Sequence, residues 1–224
     1  MSGASSRLRP ALRVPRLAVL GIFFANGVVI GTWVVRIPAV QQRLGLGEGL
    51  LGVALLGAAV GALAAMPLVG ALVSRFGSRR VVGTTALLLS LSLVTPALAP
   101  NLFLLMAALM LLGAVNGGLD VSMNAQAVEV ERGYGRPIMS SFHAAWSFGG
   151  LAGAALGGLL ASLGVGPLPH FSAVAVLSAI AFVGAYRALL PSHADASEEG
   201  APAFAPSDAG SLRAWDHLVL RPPG

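Results

Sequence analysis

Long apolar blocks, broken at short intervals by arginine, proline and glycine, set the pattern of this chain. The first block spans residues 17–35 and is expected to end at Arg36 and Pro38, because proline cannot continue the helical hydrogen-bond ladder. Further blocks cover 50–73, 81–98, 102–124, 138–163 and 169–190, and the fourth reads as helix as far as residue 131. A helix needs about 20 apolar residues to cross the hydrocarbon core, so the pattern predicts six membrane-spanning helices. Block 17–35 is longer than the apolar region of a signal peptide and lacks a small-residue cleavage site, so it reads as the first span. Glycines four apart, Gly57 and Gly61 in the second block and Gly149, Gly153 and Gly157 in the fifth, mark stripes for close helix approach.

A shift of 90 residues lays 17–35 on 107–125, 50–73 on 140–163 and 81–98 on 171–188, and places Asn26-Gly27 on Asn116-Gly117. Three spans is an odd number, so the two triplets must cross the membrane in opposite senses. The expected fold is therefore all-α: a polytopic membrane protein of six transmembrane helices in two inverted three-helix repeats.

Composition narrows the class. Hydrophobic residues make up 56% and charged residues 10% of the chain, against about 25% charged in soluble domains. The net charge of +5 comes from arginines in the gaps between apolar blocks, a distribution that speaks for membrane topology and against nucleic acid. With a cytoplasmic N-terminus that side receives twelve arginines, and the outer side receives only Arg36 and Arg43. The expected location is a bacterial inner membrane with both termini cytoplasmic. The chain divides into a cytoplasmic tail at 1–16, a six-helix domain at 17–190, and a linker at 191–224 whose Ala, Pro, Ser, Glu and Asp composition reads as disordered. No cysteine is present, which excludes disulfides, thiolate metal sites and cysteine nucleophiles. No metal or cofactor is expected, and no phosphate-binding G-x-x-x-x-G-K-[ST] occurs.

The fourth block holds the one acid embedded in a hydrophobic segment. At about 100° per residue, Gly113, Asn116, Gly117, Asp120 and Asn124 share one helical stripe. An Asp at the centre of a transmembrane helix costs about 2.5–3.5 kcal/mol on insertion scales, so such residues face a cavity or a bundle interior. We take Asp120 as the proton-coupling acid; the structural alternative is an Asp pinned by Arg or His. Asn116 and Asn124 flank it as substrate contacts or as interhelical glue. His143, on a stripe with Ser140, Ser147 and Gly150, is a partner for Asp120, a substrate contact, or an interfacial histidine. Asn26 and Trp33 share a face of the first span. Trp33 is a candidate to stack on a ligand, with a membrane-interface anchor as the alternative. Arg36 at the outer mouth either draws in anions or snorkels.

The segment Leu68-Val-Gly70-Ala-Leu-Val-Ser74-Arg75-Phe76-Gly77-Ser78-Arg79-Arg80 joins spans two and three. It resembles the motif A loop of the major facilitator superfamily, G-x-L-x-D-R-x-G-R-[RK]. The resemblance covers about residues 14–190 and implies the N-terminal six-helix half of a twelve-helix transporter. Asn26-Gly27, Gly31-Thr32-Trp33, Arg36-Ile37-Pro38, the run from Leu119 to Gln126, and Ser140-Ser141-Phe142-His143 with Trp146-Ser147 resemble a bacterial branch related to the fucose permeases. That branch implies an acid in the fourth helix that alternates between protonated and charged states. Ser74 departs from the pattern, standing where motif A has its Asp, so the usual acid latch between halves is missing or replaced. Gly70, Arg75, Gly77, Arg79 and Arg80, with Glu129 and Glu131 opposite, are the expected cytoplasmic gate.

The function these residues support is a proton-coupled secondary transporter for a small polar, sugar-like solute, present here as a half-length form. Its partners are the lipid bilayer, the solute and protons, and a second six-helix domain or a second copy. The alternatives are a non-transporting subunit or remnant that needs a partner domain, and half of a multidrug-type exporter. An intramembrane serine protease is disfavoured, since Ser141 and His143, two apart on a helix, point away from each other.

Overall fold

The computed structural model describes residues 12–191. Residues 1–11 of the tail expected at 1–16, and residues 192–224 of the linker expected at 191–224, lie outside that range. Among the described residues the secondary structure is entirely helical. In chain order the elements are α1 (Arg13–Leu44), α2 (Glu48–Phe76), α3 (Ser78–Ser92), α4 (Thr95–Leu98), α5 (Leu102–Tyr134), α6 (Met139–Ser162) and α7 (Pro167–Tyr186). With α3 and α4 forming one crossing, Ser78–Leu98, six helices are long and apolar enough to span a bilayer.

Helix α1 corrects two expectations. It begins at Arg13, inside the expected tail, and it passes through Pro38 to Leu44. Proline removes one ladder bond, but a helix within a membrane bundle tolerates the gap when its neighbours hold it. The true stop is Gly45, left-handed at φ 61°, where the Gly45 and Leu46 amides donate to the Gln42 and Gln41 carbonyls. Ninety residues later Gly135, at φ 63°, closes α5 in the same way.

The pairing of helices follows the repeat. Helices α1 and α5 are the longest and, with the α3–α4 crossing, have about half of their apolar core residues buried, whereas α2 and α6 bury only 17%. Helix α1 packs chiefly on α6, and its repeat-mate α5 packs chiefly on α2. The crossing α3–α4 lies on α5, and α7 lies on α1. Each contact thus has a counterpart under exchange of the two triplets, as an internal two-fold requires.

In lipid no hydrophobic drive pulls helices together, so packing and hydrogen bonds must do so. At the α2–α5 crossing a Cβ on Gly61 would overlap the Met110 carbonyl, and one on Gly113 would overlap the Ala58 carbonyl. At the α1–α6 crossing Gly149 and Gly153 sit in the same way on the Phe24 and Val28 carbonyls. The two glycine stripes seen in the sequence are these two seams. Between them lies a core that includes Phe23, Leu109, Leu119, Phe142 and Phe171, all fully buried.

Candidate functional site

The two repeat-related asparagines meet. Asn26 of α1 donates from Nδ2 to Oδ1 of Asn116 on α5 at 2.8 Å, so a residue bonds its own counterpart 90 positions on, as happens on a two-fold axis. The Asn26 carbonyl accepts from the Trp146 indole Nε1 of α6 at 2.7 Å. Asn26 is 2% exposed, and both ends of its amide are taken by protein. It fixes three helices against one another rather than offering a free group to a ligand. Nothing in the sequence pairs Trp146 with it, because the contact depends on the α1–α6 approach that Gly27 and Gly149 permit.

Along α5, one turn apart, Asn116, Asp120 and Asn124 are all half-buried. Asn124 Nδ2 donates to the Asp120 backbone carbonyl at 2.8 Å and to its carboxyl Oδ1 at 3.2 Å. His143 of α6 is exposed and close enough to act electrostatically on the Asp120 carboxyl. Its ring stands edge-on to Phe23 at 5.4 Å between centroids. Trp146, 38% exposed, lies one turn further along the same helix. The structure therefore gathers Asn116, Asp120, Asn124, His143 and Trp146 on one partly open polar stripe across α5 and α6. Among the described residues no group of three or more His, Cys, Asp or Glu has metal-binding geometry.

Trp33 and Arg36 go elsewhere. Trp33 is 6% exposed and packs on Phe171 of α7 with centroids 6.2 Å apart, inside the bundle. Arg36 does not snorkel. It is 3% exposed, and its Nε donates to His170 Nδ1 of α7 at 3.1 Å. The other outer arginine, Arg43, donates to the backbone carbonyls of Pro96, Ala97 and Ala99 and caps the end of α4. Both exceptions to the arginine asymmetry are thus held by protein. The counterpart of Arg36, ninety residues on, is Gln126 of α5, which donates to the buried Ser78 hydroxyl at the start of α3 at 2.6 Å. Gln126 also accepts from the Leu190 amide at 3.2 Å. Sequence reasoning gave His170, Gln126 and Ser78 no role of their own; for Gln126, its place ninety residues after Arg36 was the available signal.

The motif A segment forms a one-residue hinge. Gly77, at φ 81°, both ends α2 and starts α3, a conformation other residues rarely adopt. Gly70 is exposed with open space around it. Arg75 lies over the Phe76 ring at 5.2 Å and Arg79 over Tyr186 at 4.9 Å, while Arg80 is exposed. Glu129 pairs with Arg132 on its own helix at 3.0 Å. Glu131 accepts from the amides of Ile138 and Met139, both at 2.6 Å, and so caps the start of α6. In this conformation its carboxylate is committed to that helix end rather than to a motif A arginine.

The sequence profile described as the Major Facilitator Superfamily matches residues 17–223. The chain belongs to the Major Facilitator Superfamily. It is 41% identical over 166 residues to an uncharacterized transporter of Sinorhizobium fredii, covering 74% of this chain and 44% of the relative. It is 38% identical over 168 residues to an uncharacterized MFS-type transporter of Yersinia pestis, with 75% and 44% covered. It is 40% identical over 144 residues to the membrane protein MosC of Rhizobium meliloti, with 64% and 35% covered. The aligned region thus spans less than half the length of these superfamily relatives. The superfamily and the transporter-named relatives belong with transporters and not with enzymes.

Proposed function

We propose that this chain forms one wall of a proton-coupled secondary transporter working by alternating access, with Asp120 as the group that takes up and releases the proton. The observation that carries the reading is the half-buried stripe Asn116–Asp120–Asn124, with Asn124 bonded to the Asp120 carboxyl and the exposed His143 within electrostatic range. An acid inside an apolar bundle is costly, and among the described residues no arginine pairs with this one to explain it structurally. Asn116, Asn124 and the Trp146 edge supply the amide and aromatic contacts that suit a small polar, sugar-like solute, the chemistry expected of a branch related to the fucose permeases. The opposite wall comes from a second six-helix domain or a second copy. The membrane is the bacterial inner membrane with cytoplasmic termini, in keeping with the arginine count.

The test is uptake of a panel of labelled monosaccharides by vesicles containing the chain, driven by an imposed pH gradient. Asp120→Asn, expressed to wild-type level in the membrane, is expected to abolish gradient-driven uptake. Uptake unchanged in that variant contradicts the assignment. A second readout needs no substrate: hydrophobic carbodiimides attack protonated carboxyls, so labelling of Asp120 should fall as pH rises and vanish in the Asn variant.

A further inference from the structure

An open groove of about 690 Å³ runs between α3 and α7 at the end of the bundle that carries Arg75, Arg79, Arg80 and Arg187. We propose that it binds an anionic phospholipid, with an acyl chain along the groove and the headgroup phosphate held at Arg80. The walls are apolar: Leu87 and Leu88 from α3, Phe182 and Val183 from α7. Leu87, Leu88 and Val183 are more than 40% exposed, so this is a face that hydrocarbon wets. Gly83 lets the Tyr186 ring lie against α3 as one wall of the groove, since a Cβ there would meet that ring at 2.8 Å.

The mouth is basic. Arg80 lines it and also lines a second groove of about 340 Å³ between α2 and α3, so this cation has apolar troughs on both sides. Arg79 does not line the groove; it stacks on Tyr186, which does, and so holds that ring in place. No acidic residue lines either groove. Its volume is within the roughly 300–1,000 Å³ of small-molecule sites, and basic pockets between transmembrane helices recognise anionic lipid headgroups. A zwitterionic lipid satisfies the groove but leaves the Arg80 charge less well matched; a free anion satisfies Arg80 but leaves the groove unfilled.

The test is native mass spectrometry of the purified chain in detergent, incubated with phosphatidylglycerol or phosphatidylcholine of the same acyl length. Phosphatidylglycerol is expected to be retained preferentially. Arg80→Gln should lower that retention about fivefold, the equivalent of one arginine at a lipid surface. Val183→Trp, which fills the groove without touching charge, should lower it as well. Circular dichroism of both variants confirms that the helices are retained. Equal retention of the two lipids overturns the proposal. So does a preference lost with Arg80→Gln but untouched by Val183→Trp, which indicates diffuse attraction to a basic surface. If Arg80→Gln fails to fold, Val183→Trp alone decides: unchanged phosphatidylglycerol retention overturns the groove.

Discussion

Replacing Asn26 by Leu keeps the branching of the side chain and removes the amide that joins α1, α5 and α6. Two bonds go, to Asn116 Oδ1 at 2.8 Å and from Trp146 Nε1 at 2.7 Å. Interhelical hydrogen bonds within membranes are worth about 0.6 kcal/mol on average and up to about 1.7, so the loss should be about 1–3 kcal/mol. The figure stays small because the unfolded chain in lipid also finds partners for Asn116 and Trp146. The assay is equilibrium unfolding of the purified chain in mixed micelles, followed by circular dichroism. A double-mutant cycle with Trp146→Phe isolates the indole bond, and a coupling near 0.6 kcal/mol is expected. A stability unchanged or raised in Asn26→Leu, together with zero coupling, would refute the idea that these groups hold the two repeats together.

Other outcomes follow from the same contacts. Gly149→Leu should cost about 3 kcal/mol or prevent folding, because its side chain meets the Phe24 backbone, and Gly149→Ala should cost less; micelle unfolding ranks the two. His170→Ala should destabilise by about 3–5 kcal/mol by stranding the buried Arg36 guanidinium, and adding Arg36→Met should recover much of the loss in the same assay. Glu131→Ala should cost about 1 kcal/mol as a lost helix cap, and Glu131→Arg should not be rescued by reversing Arg79 or Arg80 to Glu. Rescue there would instead restore the cytoplasmic gate expected from sidedness.

The spans and the repeat were legible because both rest on hydropathy, which a bilayer enforces along the whole length of a helix. The offset of 90 residues that aligned Asn26 with Asn116 is the offset at which those side chains bond and at which Gly45 and Gly135 close their helices. The glycine stripes were legible for the same reason, since close approach has no other sequence solution. What escaped were choices between equivalent local rules. Pro38 reads as a stop, yet α1 is held through it by its neighbours; Trp33 reads equally well as core or interface. Arg36, Arg43 and Glu131 read as loop or gate charges, but each is taken by a partner that only the tertiary arrangement brings near. Asp120 stands out from its cost alone, and of the roles the sequence left open for His143 the fold adds only that it lies within electrostatic range of that carboxyl.

The central claim is that the Asn116–Asp120–Asn124 stripe lines a water-reachable path. A chain without cysteine allows this to be asked one position at a time. Single cysteines at 120 and 124, at the outward-facing Leu111 and Phe103, and at the buried Leu119 are compared for reaction with a charged, water-soluble thiol reagent in native membranes. Reaction at 120 and 124 with none at 103, 111 or 119 is expected, because a thiol in hydrocarbon or in the core neither ionises nor meets the reagent. Silence at 120 and 124, or reactivity no greater than at 111, would contradict the claim.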